Sequence, residues 1–190
     1  VAIAAALERL PSAPRPDQLL AVGSLYDILA AANSADRSSF VAKATTAFEA
    51  ALVAAPDDEF VIAATAEHFL QHNEGRRSGP LLETLLKPDR PTTPGVRTWA
   101  RMRLARLVAS GGRFEDLRQA IELLKAAVDS GEDASAENLR LQLEFLERLP
   151  GEDTRGPRLK LLQTLKSQST LSREESLQIA ELLDAAGQPA

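Results

Sequence analysis

The chain has 190 residues, of which 44% are hydrophobic and only 4% aromatic, and its 22 Lys and Arg against 27 Asp and Glu leave a net charge of −5. The absence of Cys excludes disulfides, thiolate nucleophiles and Cys-ligated metal sites. The acidic balance disfavours nucleic acid as a partner, because proteins that bind nucleic acid do so mainly through contacts from Lys and Arg to its phosphates.

Apolar spacing, with Pro, Gly and polar clusters as boundaries, predicts a succession of helices and no strand. The predicted helices lie at 2–10, 17–32, 38–55, 58–73, 78–87, 95–110, 114–129, 134–149, 156–168 and 172–186. Asp58 is expected to cap a helix N-terminus, and Ser172 with Glu175 has the form of a capping box. Gly112 and Gly131 are placed where Gly ends helices.

The short connections force successive helices to lie antiparallel as αα-hairpins, each with a first helix A and a second helix B. Hairpin starts recur near 17, 58, 95, 134 and 172, and this period of about 40 residues is typical of helical solenoids. We therefore divide the chain into a helix B with a linker, four repeats and a truncated repeat with helix A alone. These segments are 1–16, 17–56, 57–93, 94–131, 132–170 and 171–190.

The first repeat carries the most specific pattern. Its helix A contains Leu19-x2-Val22-Gly23-x2-Tyr26, and its helix B contains Ala44-x3-Phe48-x2-Ala51, followed by Pro56. This pattern resembles the tetratricopeptide repeat. A small Gly23 or Ala44 lets two helices approach closely, and a large Phe48 fills the neighbouring groove. The connection from Tyr26 to Ala44 is longer than in the family, so we expect an extended turn around 33–39 or a prolonged helix.

Weaker copies of the pattern follow in the later repeats, so the resemblance covers nearly all of the chain. The register of helix A in the fourth repeat stays open because its apolar residues fit more than one: Leu139, Leu141, Leu143, Phe145, Leu146 and Leu149. The resemblance implies an all-α, right-handed superhelix of about four hairpins with flanking half-repeats. Sel1-like and HEAT arrays or an unrelated helical bundle are the alternatives. The Ala- and Arg-rich usage with few Lys also resembles bacterial arrays.

Such an array implies a noncatalytic scaffold that binds a partner peptide or helix along a concave groove lined by helices A. The groove positions carried over from the family are Leu20, Ser24, Asp27 and Ile28 in the first repeat, Phe60, Ala63, Glu67, Leu70 and Gln71 in the second, and Trp99, Met102, Arg106, Ala109 and Ser110 in the third. The alternative is a structural spacer or oligomerisation module of a larger protein, without a peptide ligand, that self-associates through open repeat ends.

Trp99 has two interpretations that depend on the register. It is exposed in the groove if Leu104 and Ala105 set the register, and it is buried if it opens the repeat with Met102 as the next core residue. We favour burial, because a single Trp is more often part of a core.

Four arginines lie on the predicted helix at 95–110, and Arg113 and Arg118 follow it; the four are Arg97, Arg101, Arg103 and Arg106. They form either a cationic patch for an acidic peptide, a carboxylate or a phosphate, or a solvated face whose side chains pair with Glu115, Asp116 or neighbouring helices. We favour the paired face.

His68 and His72 are four residues apart, so they can approach a metal from one face of a helix, with Glu67 or Glu74 nearby. The spacing is not H-E-x-x-H and no third ligand is indicated, so we interpret both as surface or half-buried residues and predict no metal. No G-x-S-x-G pattern or Gly-rich phosphate loop is present. We therefore expect no catalytic residue and no cofactor.

The sequence also gives expectations about membrane segments, a signal peptide and the location of the chain. No run of about 18 apolar residues exists, so we predict no membrane-spanning segment. The chain begins at Val1 without a charged-then-apolar leader. We therefore expect no signal peptide and interpret the sequence as an excerpt of a longer protein. A cytoplasmic location is favoured on this basis.

Overall fold

The structure, a computed structural model, describes residues 14–132, 134–149 and 153–185. Within these ranges the fold is all-α and contains no strand. The helices are α1 (Pro16–Ala32), α2 (Arg37–Ala54), α3 (Glu59–Gln71), α4 (Gly75–Leu85), α5 (Pro94–Ala109), α6 (Phe114–Asp129), α7 (Ala136–Arg148), α8 (Arg155–Gln168) and α9 (Arg173–Ala185). The predicted helix at 2–10 lies outside the described residues. Among the helices described, none has the length and hydropathy needed to cross a bilayer.

The helix ends follow the capping chemistry predicted from the sequence. The Asp58 carboxylate accepts hydrogen bonds from the first backbone amides of α3 at 2.8 and 3.2 Å. At α9, the Glu175 carboxylate accepts from the Ser172 amide at 2.6 Å, and the Ser172 hydroxyl accepts from the Glu175 amide at 3.1 Å. Gly112 and Gly131 have φ of 73° and 74°, the left-handed conformation that ends helices at low steric cost. These predictions are confirmed.

Helix α4 begins at Gly75, three residues before the predicted start at 78. Its first turn is held by Arg77, whose guanidinium lies 3.9 Å from the centroid of the Phe69 ring and pairs with Glu74 and Glu49. Ser78 is fully buried on the same turn. Contacts to other helices thus favour a start of α4 at Gly75, although Gly has a low helix propensity.

The described residues fall into two compact units, one up to Ala100 and one from Arg101, with the boundary inside α5. In the first unit, α1 pairs with α2 and α3 pairs with α4, and α3 also packs against both α1 and α2. In the second unit, α6 packs on α7, α7 on α8 and α8 on α9. Consecutive helices thus supply most of the packing within each unit.

The contact between α1 and α2 has the close approach predicted for Gly23. A Cβ atom added at Gly23 would lie 2.7 Å from the Phe48 ring, and Phe48 itself is 3% exposed. Ala44 and Ala51 are fully buried. The extra length of this repeat is in its helices, which have 17 and 18 residues and are joined by a short connection. The prolonged-helix alternative is therefore the observed one.

Helix α7 is buried on two faces, which explains why its register was ambiguous in the sequence. Leu139 and Leu143 join the cluster formed with Leu162, Leu165 and Leu182 of α8 and α9. The other apolar residues of this segment join the cluster formed with α5 and α6; they are Leu141, Phe145, Leu146 and Leu149. Two opposed apolar faces fit two registers equally well, because each register places one of the faces in a core.

Candidate functional site

The structure places the predicted groove residues at different depths. Ser24, Gln71, Arg106 and Ser110 are exposed, as are Ile28 and Phe60, whose exposed fractions are 64% and 63%. The half-buried members are Leu20, Asp27, Ala63, Glu67, Leu70, Trp99 and Met102. Large exposed apolar side chains on α1 and α3 therefore coincide with predicted groove positions.

Ala109 does not lie on an accessible surface, so its prediction as a groove residue is wrong. It is 1% exposed and belongs to the cluster with Leu117 and Ala120 of α6, where a small side chain permits close helix packing. Met102 packs against the same cluster from its edge. Trp99 is half-buried, so its exposure is intermediate between the groove position and the core position that the two registers predict.

Three arginines of α5 and the turn that follows it have acidic partners. An Arg101 guanidinium nitrogen donates to Glu132 at 2.6 Å, and Arg106 lies 3.9 Å from Glu137. Arg113 donates to Asp116 through two nitrogens at 2.7 and 2.9 Å, and these bonds lower the pKa of the Asp116 carboxyl. These contacts fit the favoured interpretation of a paired, solvated face.

Three titratable side chains converge between α1 and α3, and we call Asp27, His68 and His72 the Asp27 cluster. His68 Nδ1 lies 3.1 and 2.9 Å from the two carboxylate oxygens of Asp27. His72 Nε2 lies 3.0 Å from Oδ1 of the same carboxylate. The carboxylate thus faces both imidazoles and ties the first helix of one hairpin to the first helix of the next.

The His68 ring is enclosed on the sides that do not face the Asp27 carboxylate. The residue is 1% exposed, which differs from the expected surface or half-buried position, whereas His72 is half-buried as expected. The ring stacks on Phe48 with centroids 4.7 Å apart. Its Nε2 atom lies 2.8 Å from the Thr45 hydroxyl of α2. Both nitrogens of His68 therefore have oxygen partners, which makes its burial tolerable.

Helix periodicity explains how these residues meet. His68 and His72 share one face of α3 because residues four apart are neighbours on a helix. Asp27 follows Gly23 by four residues and shares its face of α1, the face that approaches Phe48. The same close contact that the Gly permits therefore brings the carboxylate into reach of α3.

The sequence pattern indicates the two histidines but not their carboxylate partner. Glu67 and Glu74 are engaged elsewhere: Glu67 accepts from Gln71 at 3.4 Å and Glu74 pairs with Arg77 at 2.8 Å. Asp27 stands 41 residues before His68, and it was placed in the groove instead. The available signal was the predicted repeat, which assigned Asp27 and both histidines to helices A.

A cavity of about 340 Å³ lies within the second unit, among α6, α7 and α8. Its apolar lining consists of Ile121, Val128, Leu139, Leu146, Leu149 and Leu161. Charged residues of both signs stand around it, namely Arg118, Glu122, Lys125, Asp129 and Lys160. In the predicted repeats α6 and α8 are helices B, and no role was predicted for this face.

A scan with protein-family models finds no match to the chain, and a search of curated proteins finds no significant match either.

Proposed function

We propose that the chain is a noncatalytic interaction scaffold of tetratricopeptide-like hairpins that binds a partner peptide or helix through the surface of helices A. The observation that carries the proposal is the position of α3, which packs against both α1 and α2. In a stack of hairpins, the first helix of each repeat covers both helices of the preceding one. Such stacking leaves the helix A surfaces aligned for an extended ligand.

The exposed apolar residues of the first unit support this surface as the binding face. Ile28 on α1 and Phe60 on α3 are both more than half exposed and both occupy predicted groove positions. Aromatic and aliphatic side chains of this kind supply much of the binding energy at protein interfaces. Ser24 and Gln71 add polar groups on the same helices.

A pair of matched substitutions tests the proposed face. Phe60→Glu places a charge on helix A of the second repeat, and Val53→Glu places one on helix B of the first, where Val53 is 83% exposed. The immobilised wild-type chain and both variants are incubated with a lysate of the native host, and captured proteins are quantified by mass spectrometry. We expect Phe60→Glu to lose specific partners and Val53→Glu to keep them. Equal capture by all three chains would reject this face.

Self-association is a second candidate function, favoured by one exposed side chain on α9. Leu177 is 58% exposed on this helix, which is predicted to belong to a truncated repeat. If copies associate through α9, sedimentation velocity at increasing concentration should show oligomers for the wild type and a monomer for Leu177→Glu. A wild-type chain that stays monomeric at high concentration would exclude this function.

A further inference from the structure

The Asp27 cluster offers two imidazole nitrogens and a carboxylate oxygen to one point in space. The three ligand atoms lie within 4.8 Å of one another. Mixed nitrogen and oxygen donors suit divalent first-row transition metals such as Zn²⁺, whereas Mg²⁺ and Ca²⁺ take oxygen donors almost throughout. The donor set is therefore that of a transition-metal site.

Two of the three spacings between ligand atoms are close to those of a tetrahedral metal site. Zinc bonds of about 2.0 Å to nitrogen and oxygen place neighbouring ligand atoms about 3.3 Å apart. Asp27 Oδ1 is 3.1 Å from His68 Nδ1 and 3.0 Å from His72 Nε2. These two distances between ligand atoms need to increase by only a few tenths of an ångström. The third spacing, between the ligand nitrogens of the two histidines, is within 4.8 Å, so it must shorten for one ion to reach both nitrogens.

Two contacts fix the orientation of the His68 ring. Stacking on Phe48 fixes its plane, and the Thr45 hydroxyl lies 2.8 Å from Nε2. A ligating imidazole commonly donates its second N–H to an oxygen acceptor, which fixes the tautomer and orients the lone pair of the other nitrogen. A Thr hydroxyl accepts or donates as needed, so Thr45 serves the ring with or without a metal.

The charge and the accessibility of the cluster also suit a cation. His68 lies in the last turn of α3 and His72 at its C-cap, where unpaired carbonyls carry partial negative charge. The side chains of Asp27 and His72 are 16% and 14% exposed, so an ion has a path from solvent. Three protein ligands leave a fourth tetrahedral position for water.

We propose that Asp27, His68 and His72 bind one divalent transition-metal ion of the Zn²⁺ class, with Thr45 as a positioning residue. The ion links α1 to α3 and therefore joins the first hairpin to the second at the helix A surface. This assignment departs from the expectation of no metal, because Asp27 supplies the third ligand that the sequence did not indicate.

The test is a calorimetric titration of the full chain, free of any polyhistidine tag, with ZnCl₂ near neutral pH. We expect saturable binding with one ion per chain and a melting midpoint that rises with the Zn²⁺ concentration. MgCl₂ should produce neither effect. Because the chain has only two His, both pairs of imidazole signals in ¹H–¹⁵N NMR spectra should shift on Zn²⁺ addition.

Matched variants identify the ligands. Asp27→Asn keeps the shape of the side chain but removes its charge, and Asp17→Asn makes the same change at an exposed position of the same helix. Asp27→Asn and His72→Ala should abolish binding, whereas Asp17→Asn should bind as the wild type does. Thr45→Val should weaken the affinity about 10- to 100-fold, as loss of an orienting partner does.

The outcomes separate a metal site from a hydrogen-bonded tie between helices. If the wild-type chain shows no saturable Zn²⁺ binding, the cluster is only such a tie and the proposal is wrong. Binding that Asp27→Asn and Asp17→Asn retain equally would place the ion elsewhere and would also overturn it. Circular dichroism shows whether each variant is folded. If Asp27→Asn unfolds, the titration of the wild-type chain and its imidazole signals still show whether the histidines bind Zn²⁺.

Discussion

Gly23 is the residue at which the packing of α1 on α2 is most constrained. In an open helix, Gly→Ala stabilises by up to about 1 kcal/mol because the backbone loses less entropy on folding. At Gly23 the added methyl would lie 2.7 Å from a Phe48 ring that is buried and stacked on His68. We expect Gly23→Ala to lower the unfolding free energy by roughly 1–3 kcal/mol, measured by urea denaturation.

The matched control for this substitution is Gly156→Ala in the first turn of α8. A Cβ at Gly156 meets nothing within 4 Å, so the gain in helix propensity should appear without a clash. We expect an unchanged or slightly higher unfolding free energy. A Gly23→Ala chain that matches or exceeds the stability of Gly156→Ala would show that Phe48 can move aside.

The Asp27 cluster shows which residue contacts the sequence does not reveal. His68 and His72 were paired correctly because helix periodicity is local. Their contact with Asp27 depends on how one hairpin sits on the next, and a carboxylate on an amphipathic helix has the same pattern whether it faces solvent or an imidazole. The burial of His68 follows from the same contact, since only its oxygen partners make an enclosed imidazole tolerable.

Among the helices, α2 contributes several buried small residues to the first hairpin. Ala51 is fully buried, while its neighbour Ala50 is exposed. Ala51→Asp would bury an unpaired carboxylate, so we expect a loss of several kcal/mol, of the order of 3–5 kcal/mol. Thermal denaturation followed by circular dichroism measures the loss. Ala50→Asp carries the same charge and helix propensity, and its melting midpoint should stay near that of the wild type.

A second prediction concerns the ion pair between α7 and α9. The Arg140 guanidinium donates to Glu175 at 2.6 and 3.3 Å, and this hydrogen bonding lowers the pKa of Glu175 from 4.5 to about 2. A depressed folded-state pKa gives stability that is complete above the unfolded value and is lost as the carboxylate is protonated. Because Arg140 is partly exposed, we expect a contribution of about 1 kcal/mol.

The pH dependence of the Glu175→Gln variant measures this contribution. At pH 7 the wild type should be more stable than Glu175→Gln, and the difference should disappear as the pH falls from about 4.5 to about 2. Other carboxylates titrate in both chains and cancel in the difference. In an Arg140→Met background the substitution should have little effect at any pH. A difference that is independent of pH would show that protonation of the Glu175 carboxyl does not change stability, and it would contradict this prediction.

The helices themselves were the most predictable part of the structure, because their ends are set by local chemistry. Asp58, Ser172 with Glu175, and Gly112 all act within one turn of their own positions. The start of α4 was missed because contacts of Arg77 with Phe69 and Glu49, from other helices, offset the low helix propensity of Gly75. Ala109 was misplaced for a similar reason, since an Ala pattern does not distinguish a groove from a close helix contact.

At the scale of the molecule, the scarcity of aromatics is matched by cores built from Leu and Ala. The large cluster of the second unit has Phe145 as its fully enclosed aromatic side chain, at 1% exposure, surrounded by Leu124, Leu141 and Ala120. A core of this composition allows close helix packing, but few large side chains contribute buried apolar area to it. Each aromatic residue within it should therefore contribute strongly to the stability of its unit.

Phe145→Ala tests whether stability resides in the cores of the separate units. Removal of a buried ring leaves a cavity and costs about 3–5 kcal/mol. Because this cluster draws its side chains from α5 to α8, we expect amide hydrogen exchange to accelerate in those helices first. Ala51→Asp should instead accelerate exchange in α1 to α4, whose contacts lie in the first unit. If either variant accelerated exchange equally along the whole chain, the protein would unfold as one cooperative body, and the division into two cores would have no energetic meaning.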